Sequence, residues 1–179
     1  MTHSQIIGLI GGLILVLGAA RGEGKKPINP RKSTKDRLFA IGGVFLLIYA
    51  IFWYLEGGNI LYIFLEIFVC FASRLKMMKK HGKFDMRILG MLWLGLISAS
   101  FFINKSPDTL RFIAGFIGIA LGYTIKAGTV GRNAALTLGG ILIAFFSLLQ
   151  SNRIFLGVNI FFAFFSAYHR MKCYVEEKD

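Results

Sequence analysis

Apolar residues follow one another in long blocks along this chain instead of alternating with polar residues. Seven blocks reach or approach the length of a spanning helix, which is about 17–25 residues. The predicted helices are Ser4–Ala20, Leu38–Tyr54, Ile60–Leu75, Ile88–Ile103, Leu110–Ile125, Asn133–Leu149 and Ile154–His169. The longest polar segment between them, residues 21–37, leaves no room for a soluble domain. The pattern therefore predicts an all-α membrane protein with seven transmembrane helices.

The composition agrees with this class. Of the 179 residues, 55% are hydrophobic and 17% are charged, whereas roughly 25% are charged in a typical soluble domain. We therefore expect membrane lipids around the helices.

The basic residues predict an orientation. Seven crossings place the loops alternately on two sides, and 18 of the 21 lysines and arginines then fall on one side. The other side receives only Lys105, Arg111 and Arg153. Because cytoplasmic loops concentrate lysine and arginine, we predict an external N-terminus and a cytoplasmic C-terminus. Topology and anionic lipid headgroups account for the net charge of +12, so no nucleic-acid partner is expected.

No lysine or arginine precedes the first helix, and basic residues follow it. This is the reverse of the charge pattern of a signal peptide, so we expect this helix to be retained.

The chain contains an internal repeat. A shift of 93 residues places 52–79 on 145–172 without a gap and with nine identical pairs among 28. The asparagine pair, Asn59 with Asn152, and the serine pair, Ser73 with Ser166, are the informative ones, because apolar matches are frequent in so hydrophobic a sequence. A shift of 107 residues likewise aligns the glycine pattern of the first and fifth helices.

The repeat predicts the domain organisation. Two three-helix units, 1–79 and 110–172, flank the unpaired fourth helix, 88–103, and a cytoplasmic tail, 173–179, follows. A three-helix unit crosses the membrane an odd number of times, so one linker helix gives both units the same orientation. The prediction is a 3+1+3 layout with parallel halves, which occurs in SWEET transporters with binding near the midplane.

The glycines of these helices predict close packing. They recur at Gly8, Gly11 and Gly12, at Gly42 and Gly43, at Gly115, Gly118 and Gly122, and at Gly139 and Gly140. Small residues allow helix backbones to approach each other within a membrane.

Segment 146–159, FSLLQSNRIFLGVN, places an asparagine 13 positions after an aromatic residue. With the helix layout, it resembles the MtN3/SWEET superfamily, which includes sugar transporters, nicotinamide-riboside transporters and bacterial inner-membrane proteins. The resemblance implies that Asn159 faces the substrate and that Glu66, 13 positions after Trp53, is its equivalent. It also implies a bacterial inner (plasma) membrane location. The family's proline–glutamine pair is absent from both units.

Glu66 is the one acidic residue of nine that lies well inside a predicted helix. A charged group at a helix centre costs about 2.5–3.5 kcal/mol on insertion scales. The carboxyl group must therefore be protonated, paired or in contact with water. It is either a substrate or proton site, or a neutral glutamate that bonds to a neighbouring helix or subunit.

The polar residues of the third helix share one face with Glu66, at about 100° per residue. This face contains Asn59, Tyr62, Glu66, Cys70 and Ser73. The corresponding face of the seventh helix contains Asn152, Phe155, Asn159, Ala163 and Ser166. We expect the two faces to line a polar path between the halves.

Two aromatic residues complete the predicted substrate-binding set of Glu66, Asn159, Asn59 and Tyr62. Trp53 ends the second helix at the outer surface, where it is either an aromatic-belt residue or a lid over the substrate. Tyr123 lies late in the fifth helix, where it either packs or forms a cytoplasmic gate.

The sequence contains no pattern that is typical of an enzyme. Cys70 and Cys173 are 103 residues apart, so neither a redox pair nor a zinc cluster is expected. The carboxylates do not cluster as Mg²⁺ ligands would, and no phosphate loop or nucleophile motif is present. We predict no catalytic residue, metal or cofactor.

Two functions remain. The first is transport of a small polar solute, such as a sugar, nucleoside or vitamin, by facilitated diffusion or with proton coupling through Glu66. The second is a non-transporting membrane subunit or scaffold whose basic loops dock a partner or anionic lipid. The sequence is also compatible with a homo-oligomer.

Overall fold

The computed structural model describes residues 2–21, 34–77, 83–103, 106–125 and 129–178, and these residues form helices and short connections without strands. The helices are α1 (His3–Ala20), α2 (Thr34–Leu55), α3 (Leu61–Met77), α4 (Lys83–Ile103), α5 (Pro107–Thr124), α6 (Val130–Leu149) and α7 (Arg153–Lys178). The predicted all-α class and the seven helices are confirmed. Among the described residues, α1, α2, α6 and α7 are long and apolar enough to cross a membrane.

The boundaries differ from the prediction where charged residues continue a helix. α2 begins four residues earlier than predicted, and α7 continues through most of the predicted tail to Lys178. Hydropathy locates only the apolar part of a helix, whereas arginine, lysine, methionine and glutamate propagate it well. Much of the basic segment 21–37 lies outside the described residues, as do residues 78 and 79 at the end of the repeat.

Polar side chains cap the N-termini of several helices. Thr2 and Gln5 form a capping box at the start of α1. Ser106 and Thr129 accept hydrogen bonds from backbone N–H groups at the starts of α5 and α6. Pro107 occupies the first turn of α5, where its missing N–H costs nothing.

Six of the helices form a closed ring. In order around it, α1 packs on α2, α2 on α3, α3 on α5, α5 on α6, α6 on α7 and α7 on α1, while α4 packs outside against α3 and α5. Lys35 and Arg132 lie at the end where α2 and α6 begin, which we call the basic end. At the opposite end, the turn end, tight turns at 56–60 and 150–152 join α2 to α3 and α6 to α7.

Glycines bring two antiparallel helix pairs into backbone contact. A Cβ on Gly42 of α2 would lie 2.9 Å from the carbonyl oxygen of Gly11 of α1. A Cβ on Gly139 of α6 would lie 2.8 Å from the carbonyl oxygen of Gly115 of α5. Any larger residue would force the helices apart, so the predicted close packing at these glycines is confirmed.

Candidate functional site

Asn59 and Asn152 precede the first turns of α3 and α7 at the turn end. Each Oδ1 accepts a backbone hydrogen bond of 3.1 Å, from Leu61 N–H and Phe155 N–H respectively. The amide of Asn59 also donates to Gln150 Oε1 across 3.4 Å. Both asparagines are therefore helix caps, and the two polar atoms of Asn59, a predicted substrate-binding residue, both have protein partners.

Below these caps, a layer of four aromatic rings lies between α3 and α7. Tyr62 and Phe155 are stacked, with ring centroids 4.3 Å apart, and Phe146 packs against Tyr62. Tyr49 packs against Phe155, and its hydroxyl donates to Asn152 Oδ1 across 3.1 Å. We call Tyr49, Tyr62, Phe146 and Phe155 the aromatic layer. It separates the interior from the turn end.

Trp53 lies beside this layer at the end of α2. Its ring centroid is 6.4 Å from that of Tyr49. The turn at Gly57 and Gly58 covers the indole so closely that a Cβ on Gly58 would clash with Nε1. Gly57 adopts a φ of +92°, which favours glycine and allows this tight turn.

On the basic-end side of the aromatic layer, a small cavity of about 30 Å³ lies among α1, α2, α3, α5 and α7. Glu66 and Asn159 both line it, and only 3% and 6% of their surfaces are exposed. The other described lining residues are aliphatic or aromatic: Leu15, Phe39, Leu65, Val69, Ile119, Tyr123, Val158 and Phe162. We call this space the Glu66 cavity.

The two polar residues of the cavity differ in their hydrogen bonds. Asn159 donates from Nδ2 to the carbonyl oxygen of Phe155, 2.8 Å away on its own helix. Glu66 Oε2 is buried and has no hydrogen-bond partner among the described residues. A carboxylate in this position can accept hydrogen bonds from a molecule in the cavity.

Glu66 belongs to a group of five buried polar atoms that lack partners within the described part of the chain. The others are Trp53 Nε1, Tyr62 Oη, Ser73 Oγ and Asn152 Nδ2. Three of the five residues lie on one face of α3, at the spacing i, i+4 and i+11. More than about 90% of buried polar groups in proteins are hydrogen-bonded, so water or a ligand is expected to satisfy atoms aligned in this way.

Phe39, Tyr123 and Phe162 form the floor of the Glu66 cavity and also line a second cavity of about 20 Å³ at the basic end. We call these three residues the aromatic partition. Phe39 and Phe162 contact each other edge to face, with ring centroids 6.1 Å apart.

The basic-end cavity is strongly polar. Its described lining includes Lys35, Asp36, Arg132, His169, Ser73 and Ser166. Arg132 is buried, and its Nε donates to the carbonyl oxygen of Gly122 across 3.0 Å. The two serines are the ends of the predicted polar faces of α3 and α7. Polar side chains of α3 and α7 therefore line the cavities on both sides of the aromatic partition.

The structure brings three of the six predicted site residues, Glu66, Asn159 and Tyr123, to one cavity. Tyr62 is part of the adjoining aromatic layer. Trp53 and Asn59 lie nearer the turn end and are not among the described residues that line the cavity.

Sequence analysis did not select Phe39, Phe162 or Tyr49. Phe162 could have been found, because it follows Asn159 by three positions and therefore shares its helix face. Phe39 and Tyr49 are two aromatic residues of an apolar helix, and no local signal distinguishes them.

The chain matches no protein-family model, no curated protein and no solved structure. The functional argument therefore depends on the geometry of the helices and cavities.

Proposed function

We propose that this chain is an integral protein of a bacterial inner membrane that transports a small polar solute between its two halves. One observation carries the proposal: Glu66, a buried carboxyl group with an unpartnered oxygen, faces a cavity that it shares with Asn159. The solute would pass the aromatic partition and bind to these two side chains.

The distribution of side chains supports a membrane location. Large apolar residues lie on the outer surfaces of the helices, with Leu17 60% and Phe102 76% exposed, whereas Glu66, Ser73 and Asn152 are buried. In water, exposed apolar patches of this extent would cause association. Lipid instead solvates apolar surfaces and favours polar groups in the interior.

The helix neighbours support a 3+1+3 layout. The contacts of α1, α2 and α3 recur among α5, α6 and α7, and the junction of α3 with α5 corresponds to that of α7 with α1. Tyr62 and Phe155, which the shift of 93 residues makes equivalent, stack directly on each other. A two-fold axis along the membrane normal would produce this arrangement. The charge distribution favours the basic end as the cytoplasmic side.

The barriers at the two ends of the Glu66 cavity suggest how access would alternate. Towards the turn end, the aromatic layer and the Tyr49–Asn152 hydrogen bond close the path. Towards the basic end, the aromatic partition lies between the Glu66 cavity and the basic-end cavity, because its three residues line both. Passage to the turn end would require the two halves to separate there. Proton coupling would use the Glu66 carboxyl group, whereas facilitated diffusion needs no titration.

Uptake by proteoliposomes that contain only this chain tests the proposal. A thermal-stability screen of the purified protein against sugars, nucleosides, vitamins and small amines first selects candidate solutes, because a ligand stabilises the state it binds. We expect a stabilising solute to enter these vesicles faster than protein-free vesicles. If no such solute enters, and the protein instead binds a cytoplasmic partner in a salt-sensitive manner, the chain is a scaffold.

A further inference from the structure

We infer that the Glu66 cavity binds the charged head of a small organic ammonium ion. This inference depends on the proposed transport function and specifies the class of solute. It is based on three features of the cavity: Glu66 has no positive counter-charge among the described lining residues, aromatic rings form part of the lining, and the volume is small.

The cavity contains one potential negative charge and no positive one among its described lining residues. Lys35 and Arg132 line the basic-end cavity, on the other side of the aromatic partition. An ionised carboxylate that is 97% buried is costly unless a counter-charge accompanies it. A cationic solute would supply both the counter-charge and the hydrogen-bond donor or close contact that Glu66 Oε2 lacks.

Aromatic rings form one wall of the cavity. Phe39, Tyr123 and Phe162 line it together with the carboxyl group. Rings attract an organic cation through their negative faces, and the attraction is strongest when the cation is desolvated. The methyl and methylene groups of such a cation would also contact Leu65 and Val158, which have no polar atoms to offer.

The small size and the few polar groups of the cavity disfavour other ligands. About 30 Å³ corresponds to roughly two or three water molecules, which is space for a small head group and not for a sugar ring. A sugar also carries several hydroxyls, but the described lining offers only Glu66, Asn159 and Tyr123 as polar side chains.

An inorganic cation would also lack ligands. Hard cations such as Ca²⁺ and Mg²⁺ take about six or more oxygen ligands. The described residues contain no group of three or more His, Cys, Asp or Glu side chains that could hold a metal ion.

The test compares choline with 3,3-dimethylbutan-1-ol, an uncharged molecule of the same shape. Each is titrated into the purified full-length chain in nanodiscs, and affinity is obtained from calorimetry and from the shift in melting temperature, with sodium chloride as the ionic-strength control. We expect choline to bind at least about tenfold more tightly than the alcohol, because a desolvated cation–π and charge contact exceeds 1.4 kcal/mol.

Three variants connect the binding to the cavity. Glu66→Gln keeps the shape of the side chain and should weaken choline binding at least about tenfold, and Phe162→Leu should weaken it about threefold. Glu56→Gln removes a carboxylate at the turn end and should leave the affinity unchanged. The melting temperatures of the unliganded variants report whether each one folds.

Equal binding of choline and the alcohol, absence of choline binding, or unchanged affinity in both Glu66→Gln and Phe162→Leu would overturn the inference. Any of these results leaves solute uptake by the proteoliposomes possible, so the transport proposal would stand or fall separately.

Discussion

The inward faces of α3 and α7 occupy equivalent positions in the ring, yet their polar groups are used differently. On α7, Asn152 Oδ1 accepts two hydrogen bonds and Asn159 donates to its own helix. On α3, Tyr62, Glu66 and Ser73 each present a buried polar atom that has no hydrogen-bond partner among the described residues. On the α7 side, Asn152 Nδ2 is the one such unpartnered atom among the described residues, whereas α3 has three of them. If the chain transports a solute as proposed, this difference predicts that α3 makes most of the polar contacts with it.

The largest effect should come from Glu66, because the equivalent position on α7, Asn159, carries an amide and not a carboxyl group. Glu66→Gln removes the charge that a solute would contact, and we expect the rate of solute uptake to fall roughly 10- to 150-fold, since a hydrogen bond to a charged group is worth about 1.5–3 kcal/mol. Asn159→Ala should also abolish most uptake. Initial rates in proteoliposomes measure both effects.

Glu56→Gln is the matched control for this charge removal. Glu56 is exposed in the turn before α3, where its Oε1 accepts a hydrogen bond from Ser4. Uptake should be unaffected by this change. Wild-type rates in both Glu66→Gln and Asn159→Ala would show that the solute does not pass between the two faces.

The glycine contacts test whether the two halves are also equivalent in packing. Gly42→Ala and Gly139→Ala should each lower the free energy of unfolding by about 1–3 kcal/mol, because the new methyl group would meet backbone atoms of the neighbouring helix. Thermal unfolding in detergent gives the comparison. A Cβ on Gly95 of α4 would meet nothing within 4 Å, so Gly95→Ala should be neutral or should stabilise by up to about 1 kcal/mol. Similar losses of stability in Gly95→Ala would contradict this packing account.

A smaller effect should separate the two tyrosines of the aromatic layer. The Tyr49 hydroxyl donates to Asn152, so Tyr49→Phe should cost about 1 kcal/mol of stability. The Tyr62 hydroxyl interacts with Ser147, but no described residue forms a hydrogen bond of standard geometry with it. Tyr62→Phe should therefore leave the stability unchanged or slightly raised, while it lowers uptake. The account of α3 would fail at this position if Tyr62→Phe destabilised the protein as much as Tyr49→Phe.

Much of the fold was predictable because it depends on features that recur along the chain. Apolar blocks gave the seven helices, and the repeat of 93 residues placed Glu66 and Asn159 at equivalent positions. The structure then brings both to one cavity. The charged ends of α2 and α7 were missed because hydropathy does not register helical residues outside an apolar block.

The rest of the site depends on contacts between helices that are distant in sequence. The hydrogen bond from Tyr49 to Asn152 spans 103 residues, and the edge-to-face contact of Phe39 with Phe162 likewise joins the two halves. Neither contact produces a local pattern in the sequence from which it could be predicted. Asn59 shows another limit of the sequence: the repeat pairs it with Asn152 but does not distinguish a helix-capping residue from a binding residue.

The central claim is that a water-accessible path lies inside a ring of helices whose outer surface faces lipid. Cysteine accessibility tests this claim most directly. In a background of Cys70→Ser and Cys173→Ser, single cysteines replace the buried Ser73 and Ser166 or the outward Ile67 and Phe71 of α3. A small hydrophilic thiol reagent is then applied to the protein in native membranes. We predict that cysteines at 73 and 166 react and that those at 67 and 71 do not, although the latter are the more exposed in the structure. Reaction at 67 and 71 with protection at 73 and 166 would contradict the account.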